Sequence, residues 1–112
     1  MIVWQKADEF AYQVYLTTKQ FPKDELFGIT SQIRRAAVSI STNIVEGSGR
    51  QNRNELRQFL NIALGSMAEA EYLLEFSLRL QYLSQSNYLK LESLRKEVGA
   101  LLWRFHQSIL RV

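Results

Sequence analysis

The chain has 112 residues, 46% of them apolar, and carries 14 Lys and Arg against 11 Asp and Glu, a net charge of +3, with one proline and no cysteine. That size bounds it to one domain spanning 1–112, and the lack of cysteine excludes disulfide staples, thiolate chemistry and Cys-based zinc sites. His106 is the single histidine, so neither a two-histidine zinc helix nor the paired Glu-x-x-His motifs of di-iron bundles can be assembled in one chain. No metal or cofactor is expected, and His106 itself reads as an ordinary surface or boundary residue. Charge interrupts every apolar stretch before a membrane span of about 18 residues is reached. Asp8 and Glu9 come too early for a signal-peptide core, so a cytoplasmic protein is expected.

Trp4, Ala7, Ala11, Val14 and Phe21 recur at helical spacing, with Phe10 and Tyr15 widening the stripe, and predict a first helix over about 4–20. Pro22 ends it or opens its successor. Asp24 and Glu25 then suit the positive end of a helix dipole. Leu26, Ile29, Ile33, Ala37, Ile40 and Ile44 continue a second helix over about 23–46, with Gly47 as its left-handed stop. Asn52 and Glu55 have the spacing of a capping box, with Asn where Ser or Thr is usual, and predict a third helix over about 53–82. Its apolar seam is Leu56, Leu60, Ala63, Met67, Ala70 and Leu74. Ser84 reads as a turn and cap. Leu91, Leu94, Val98, Leu101, Phe105 and Ile109 mark a fourth helix over about 86–110.

Four amphipathic helices, short turns and no strand-like alternation predict an all-α fold, an antiparallel up-and-down four-helix bundle. Gly65, Ser66, Ala68 and Ala70 offer a small-residue surface on the third helix. Phe10, Phe59, Ile62, Phe76, Leu80 and Leu102 lie beside the main stripes and exceed what one small bundle is expected to bury, which points to self-association.

Between Leu26 and Leu60 five arginines, Arg34, Arg35, Arg50, Arg53 and Arg57, face only Glu46 and Glu55. Arg50, Arg53 and Arg57 stand at the start of the third helix, where the dipole disfavours cations, so helix stability does not explain them. The structural reading is a salt bridge from Glu46 across the Gly47–Gly49 turn. The functional reading is a phosphate-binding patch, since guanidinium groups clasp phosphate in bidentate fashion. Glu69, Glu71 and Glu75 read as a solvated or interfacial face, with Glu75 four residues before Arg79 in the favourable pairing order. Ser39, Ser41 and Thr42 lack a base and read as bonded to backbone or facing a neighbour. The glycines of Glu46-Gly47-Ser48-Gly49-Arg50 follow no strand and precede no Lys-Ser/Thr, so they make no phosphate loop.

The run from Phe21-Pro22-Lys23-Asp24-Glu25 through Gln32-Ile33-Arg34-Arg35-Ala36-Ala37-Val38-Ser39-Ile40, then Asn43-Ile44-Val45-Glu46-Gly47-Ser48-Gly49-Arg50, resembles the bacterial four-helix proteins of 23S rRNA intervening sequences. The stretch Phe59 to Leu74 is similar to that family's third helix. The resemblance implies a protomer that assembles into a ring-like homopentamer, without catalytic activity. Related proteins are accessory factors of diversity-generating retroelements, in which a basic pentamer binds reverse transcriptase and nucleic acid. The positions matching the family motif are Ser31, Gln32, Arg34, Arg35, Asn43, Glu46, Gly47, Gly49 and Arg50. Ser41 stands where many members have proline and Val45 where they have alanine, which removes the expected kink from the second helix.

The combined expectation is a non-enzymatic, homo-oligomeric accessory factor that binds RNA or DNA through Arg34, Arg35, Arg50, Arg53 and Arg57, with reverse transcriptase or another protein as a further partner. The alternative is a scaffold that docks a protein without nucleic acid, its charges serving structure.

Overall fold

A computed structural model of the chain describes residues 1–110. Four helices, α1 (Ile2–Thr18), α2 (Ile29–Ser48), α3 (Arg53–Arg79) and α4 (Gln85–Leu110), account for most of it, and no strand occurs among the described residues. Helices α1 and α2 pack together, as do α2 with α3, α3 with α4, and α4 with α1, so that contact closes into a four-membered circuit. Among the described residues neither diagonal pair brings its backbones close together, the arrangement of a helix bundle around one core. The molecule measures 47 × 24 × 19 Å, and the long dimension matches a 27-residue helix at roughly 1.5 Å per residue.

The core is continuous through the bundle. Phe10 and Val14 from α1, Ile33, Ile40 and Ile44 from α2, Leu60 and Leu74 from α3, and Leu91, Val98 and Leu102 from α4 are all shut off from solvent. Ala7, Phe10, Ala11, Val14 and Phe21 of the expected α1 stripe are buried, and only its margins differ. Val3 faces inward, while Trp4 is 36% and Tyr15 42% exposed, because Val3, Ala7, Phe10 and Val14 follow the helical period more closely than a stripe started at Trp4. Phe10 and Leu102, expected as surplus, are core residues; Ile62 and Leu80 do remain exposed.

The second helix starts at Ile29, not at 23. Pro22 leads into one 3₁₀ turn, Lys23–Glu25, held by bonds from Glu25 N to Pro22 O at 3.0 Å and from Gly28 N to Glu25 O at 2.9 Å. Three-residue closures of this kind rarely extend, and Gly28 leaves helical geometry at φ −111°, ψ −122° before α2 begins. Leu26, counted on the sequence stripe, consequently lies outside the helix and is 47% exposed. Helix α2 then runs unbroken through Ser41, whose hydroxyl donates to Val38 O at 3.0 Å.

Gly47 is not a left-handed stop. It lies buried inside α2, and the helix closes two residues later on Gly49 at φ −80°. A Cβ on Gly47 would stand 3.0 Å from both Leu56 Cδ1 and Phe59 Cβ, so its role is close approach of α3 to α2. The one positive φ among the described residues belongs to Gln81, at 64°, in the turn that ends α3 at Arg79 and not at 82. Two caps expected from the sequence are in place. Asn52 Oδ1 accepts from Asn54 N at 2.8 Å and Glu55 N at 3.2 Å, and Ser84 Oγ accepts from Asn87 N at 3.0 Å.

Candidate nucleic-acid interface

The five arginines of the 26–60 segment divide by environment. Arg50 is held within the chain: its guanidinium reaches Glu46 Oε2 at 3.4 Å and Glu55 Oε2 at 3.9 Å, and lies 5.1 Å from the ring centre of Phe59. Both acidic residues of the segment are therefore turned to one arginine. The salt bridge across the α2–α3 turn is present, and it draws Arg50 away from the free patch that the sequence suggested. Arg53, exposed in the first turn of α3, is also engaged within the chain. Arg57, one turn further on, and Arg35 on α2 are exposed. Among the described residues neither has an ion-pair partner.

Arg34 is different from all of these. It is half-buried between α1 and α2, its Nε donates to Thr18 Oγ1 at 2.8 Å, and its guanidinium covers the Tyr15 ring at 4.7 Å. Thr18, buried at the end of α1, donates its own hydroxyl hydrogen bond to Val14 O at 2.8 Å. The positive charge thus meets a neutral hydroxyl and a π face, and among the described residues it has no carboxylate partner, Glu46 included. Arg34 and Arg35 line a cleft of about 650 Å³, with Tyr15, Leu26, Phe27 and Asn43 among its other walls. Phe27 projects beside it at 93% exposure.

The other motif positions serve local structure. Ser31 Oγ donates to Gly28 O at 3.0 Å and secures the start of α2, where Gln32 is exposed. Asn43 Nδ2 donates to Ser39 O at 2.8 Å and to Ser39 Oγ at 3.0 Å, while Ser66 Oγ on α3 reaches Ser39 Oγ at 2.8 Å. That chain joins α2 to α3 and explains the small Ser66. Gly65 faces open space, and Gly49 closes α2.

Sequence reasoning missed a second charged centre. Arg95 and Glu92, one turn apart on α4, are both buried; Arg95 Nη2 donates to Glu92 Oε1 at 2.9 Å, Nε donates to Oε2, and Glu71 Oε2 on α3 lies 3.3 Å from Nη2. The hydrogen bond to Glu92 raises the Arg95 pKa, with burial opposing it, so the guanidinium stays charged. Glu71 is an intrachain partner and not a free acidic face. Among the described residues no ion pair joins Glu75 to Arg79, which instead lies 5.9 Å from the Phe76 ring centre. The available signal was register, since Arg95 follows Leu91 by four and precedes Val98 by three. His106 is likewise interior, 8% exposed, with Nε2 unpartnered and its ring stacked on Trp103 at 5.8 Å. It falls on the same register four residues after Leu102.

Among the described residues no group of three or more His, Asp or Glu side chains could hold a metal ion, and no helix is long and apolar enough to cross a membrane. A search of curated proteins found no match. The chain is similar over 93% of its length, at 31% identity and a TM-score of 0.83, to a crystal structure of a protein of unknown function from the S23 ribosomal protein family of Bacteroides thetaiotaomicron VPI-5482, 97% of which is covered. The family model of 23S rRNA-intervening sequence proteins matches residues 1–104. With that match over nearly the whole helical bundle, the chain belongs to the 23S rRNA-intervening sequence protein family.

Proposed function

We propose that this protein is a non-enzymatic, cytoplasmic accessory factor that binds RNA or DNA through arginines on the α2 and α3 side, as an RNA-associated or reverse-transcriptase-associated component. The observation that carries the reading is the division of charge: Glu46 and Glu55 both turn to Arg50, and among the described residues Arg34, Arg35 and Arg57 have no carboxylate partner. Exposed guanidinium groups in that state attract phosphate and give affinity that falls with salt. Arg50 and Arg53 belong to the local structure first and contribute to the field around it.

Self-association belongs to the same proposal. Trp4, Tyr12, Leu16, Val38 and Val45 are exposed on α1 and α2, more apolar surface than an isolated small bundle usually leaves in water. A second copy covering this face fits an antiparallel up-and-down protomer in a ring, a homopentamer by family resemblance, and repetition would multiply the arginine patch.

Fluorescence anisotropy with a mixed-sequence RNA and duplex DNA at several salt concentrations tests the reading. Replacing Arg35 and Arg57 by Gln is expected to weaken binding and flatten the salt slope by about one unit for each phosphate that is no longer neutralised. Replacing Arg50 alone is expected to do less. Unchanged affinity and slope in the Arg35→Gln, Arg57→Gln variant would overturn it. A scaffold that docks protein is favoured if wild-type protein ignores both polymers at low salt while light scattering shows an intact oligomer.

A further inference from the structure

Behind Arg34, on the side of the Lys23–Glu25 turn, lies a second and smaller pocket of about 300 Å³. Lys19, Lys23 and Arg34 line it, together with Thr18, Pro22 and Thr30, and no acidic residue does. Glu25 Oε2 accepts from Tyr82 Oη at 2.9 Å, while its Oε1 stands beside Gly28, outside the pocket lining. Among the described residues neither lysine has an ion-pair partner. Thr30 is 3% exposed and its Oγ1 has no hydrogen-bond partner, an unusual state for a buried hydroxyl.

The backbone adds to the same field. Thr30 is in the first turn of α2, a 20-residue helix with no side-chain cap and no acidic residue in that turn. Its opening N–H groups and positive dipole end favour an anion. The carbonyls at the end of α1 do not oppose this strongly, because Lys19 N, Gln20 N and Phe21 N donate to Leu16, Thr17 and Thr18 O.

We propose that this pocket seats a terminal phosphate monoester of a nucleotide or of a nucleic-acid strand. Lys19, Lys23 and Arg34 supply the charge and Thr30 Oγ1 a hydrogen bond. Arg34 also lines the 650 Å³ cleft, so the nucleoside attached to that phosphate lies on the other side of the guanidinium, along Tyr15 and Phe27. A dianion has the charge to satisfy three cations better than one internal phosphodiester. The inference deepens the nucleic-acid reading by assigning a seat that discriminates a strand end from the strand interior.

The test compares single-stranded RNA 8-mers that differ only in a 5′ or a 3′ phosphate against the hydroxyl-ended twin, with AMP and inorganic phosphate as competitors. One of the phosphorylated strands is expected to bind about tenfold more tightly than the hydroxyl form, as one charge-assisted contact predicts. AMP competing better than inorganic phosphate places the nucleoside in the cleft; equal competition confines recognition to the phosphate, and either supports the pocket. The Lys19→Gln, Lys23→Gln double variant and Thr30→Val are each expected to reduce the end preference, and Thr30→Val to do so without lowering thermal stability, since its hydroxyl has no partner to lose. Equal affinity of all three wild-type strands, or an end preference that survives both variants, overturns the proposal. Salt-dependent binding that is blind to the end phosphate but abolished without Arg35 and Arg57 would sink this pocket alone. Loss of all binding to unphosphorylated strands would sink the broader reading alone.

Discussion

Arg95 and Arg34 are both drawn out of bulk water between two helices, and their partners are opposite in kind. Arg95 is 8% exposed and meets two carboxylates, one of them buried beside it. Arg34 meets a threonine hydroxyl and a tyrosine ring and opens onto two clefts. A buried guanidinium whose valence is filled from its own chain is a structural tie between α3 and α4. One that is positioned but left without a counter-charge retains capacity for an anion from outside. Counting arginines along the sequence treats the two alike, and their local partners separate them.

The largest effect expected from breaking this contrast is on stability. Arg95→Leu leaves the buried Glu92 carboxyl group without its partner and is expected to cost about 3–5 kcal/mol, read by urea denaturation. Replacing Glu92 and Arg95 together by Met is expected to recover most of that loss, because the desolvation penalty goes with the pair. If the single and double variants are equally destabilised, the tie is not electrostatic.

Gly47→Ala ranks next. The helix-propensity gain of about 1 kcal/mol is opposed by the close approach of Phe59 Cβ, which is fixed near the α3 backbone. Overpacking costs typically about 1–3 kcal/mol, so a net loss of about 1 kcal/mol is expected by thermal unfolding. A gain would mean that α3 can retreat from α2. Arg34→Gln is expected to lower stability by about 1 kcal/mol or less, through removal of the hydrogen bond to Thr18, while weakening nucleic-acid binding several-fold. An Arg34 variant that unfolds as Arg95→Leu does would erase the contrast between them.

The smallest effect is confined to alkaline solution. Tyr82 donates to Glu25, and that hydrogen bond first, burial second, raises its pKa above the ordinary tyrosine value. The proton is therefore held more tightly in the folded protein. Its contribution to stability is present below the unfolded value of about 10 and is lost as pH rises through the folded pKa. The stability difference between wild type and Tyr82→Phe is expected to shrink over that range. A constant difference up to the end of the titration would show that the hydroxyl does not link the turn to the end of α3.

Much of the molecule was legible from spacing. Asn52 and Ser84 announced the starts of α3 and α4, because capping is a contact within three residues. The break between Lys23 and Gly28 was not, since the apolar spacing of Leu26 and Ile29 continues through it and only backbone geometry shows where the helix begins. Of the candidate residues, Arg34 and Arg35 come to one cleft, Arg50 is tied back to Glu46 and Glu55, and Lys19, Lys23 and Thr30, which the sequence did not single out, join Arg34 in a second pocket.

Sequence alone determined the helical class, four helices, most of the core and the arginine surplus, because periodicity and caps depend on neighbours within a few turns. Tertiary structure alone decided which charges are free. A carboxylate neutralises an arginine only where packing brings the two within a few ångströms, and the distance from Glu71 to Arg95 is set by how α3 and α4 meet.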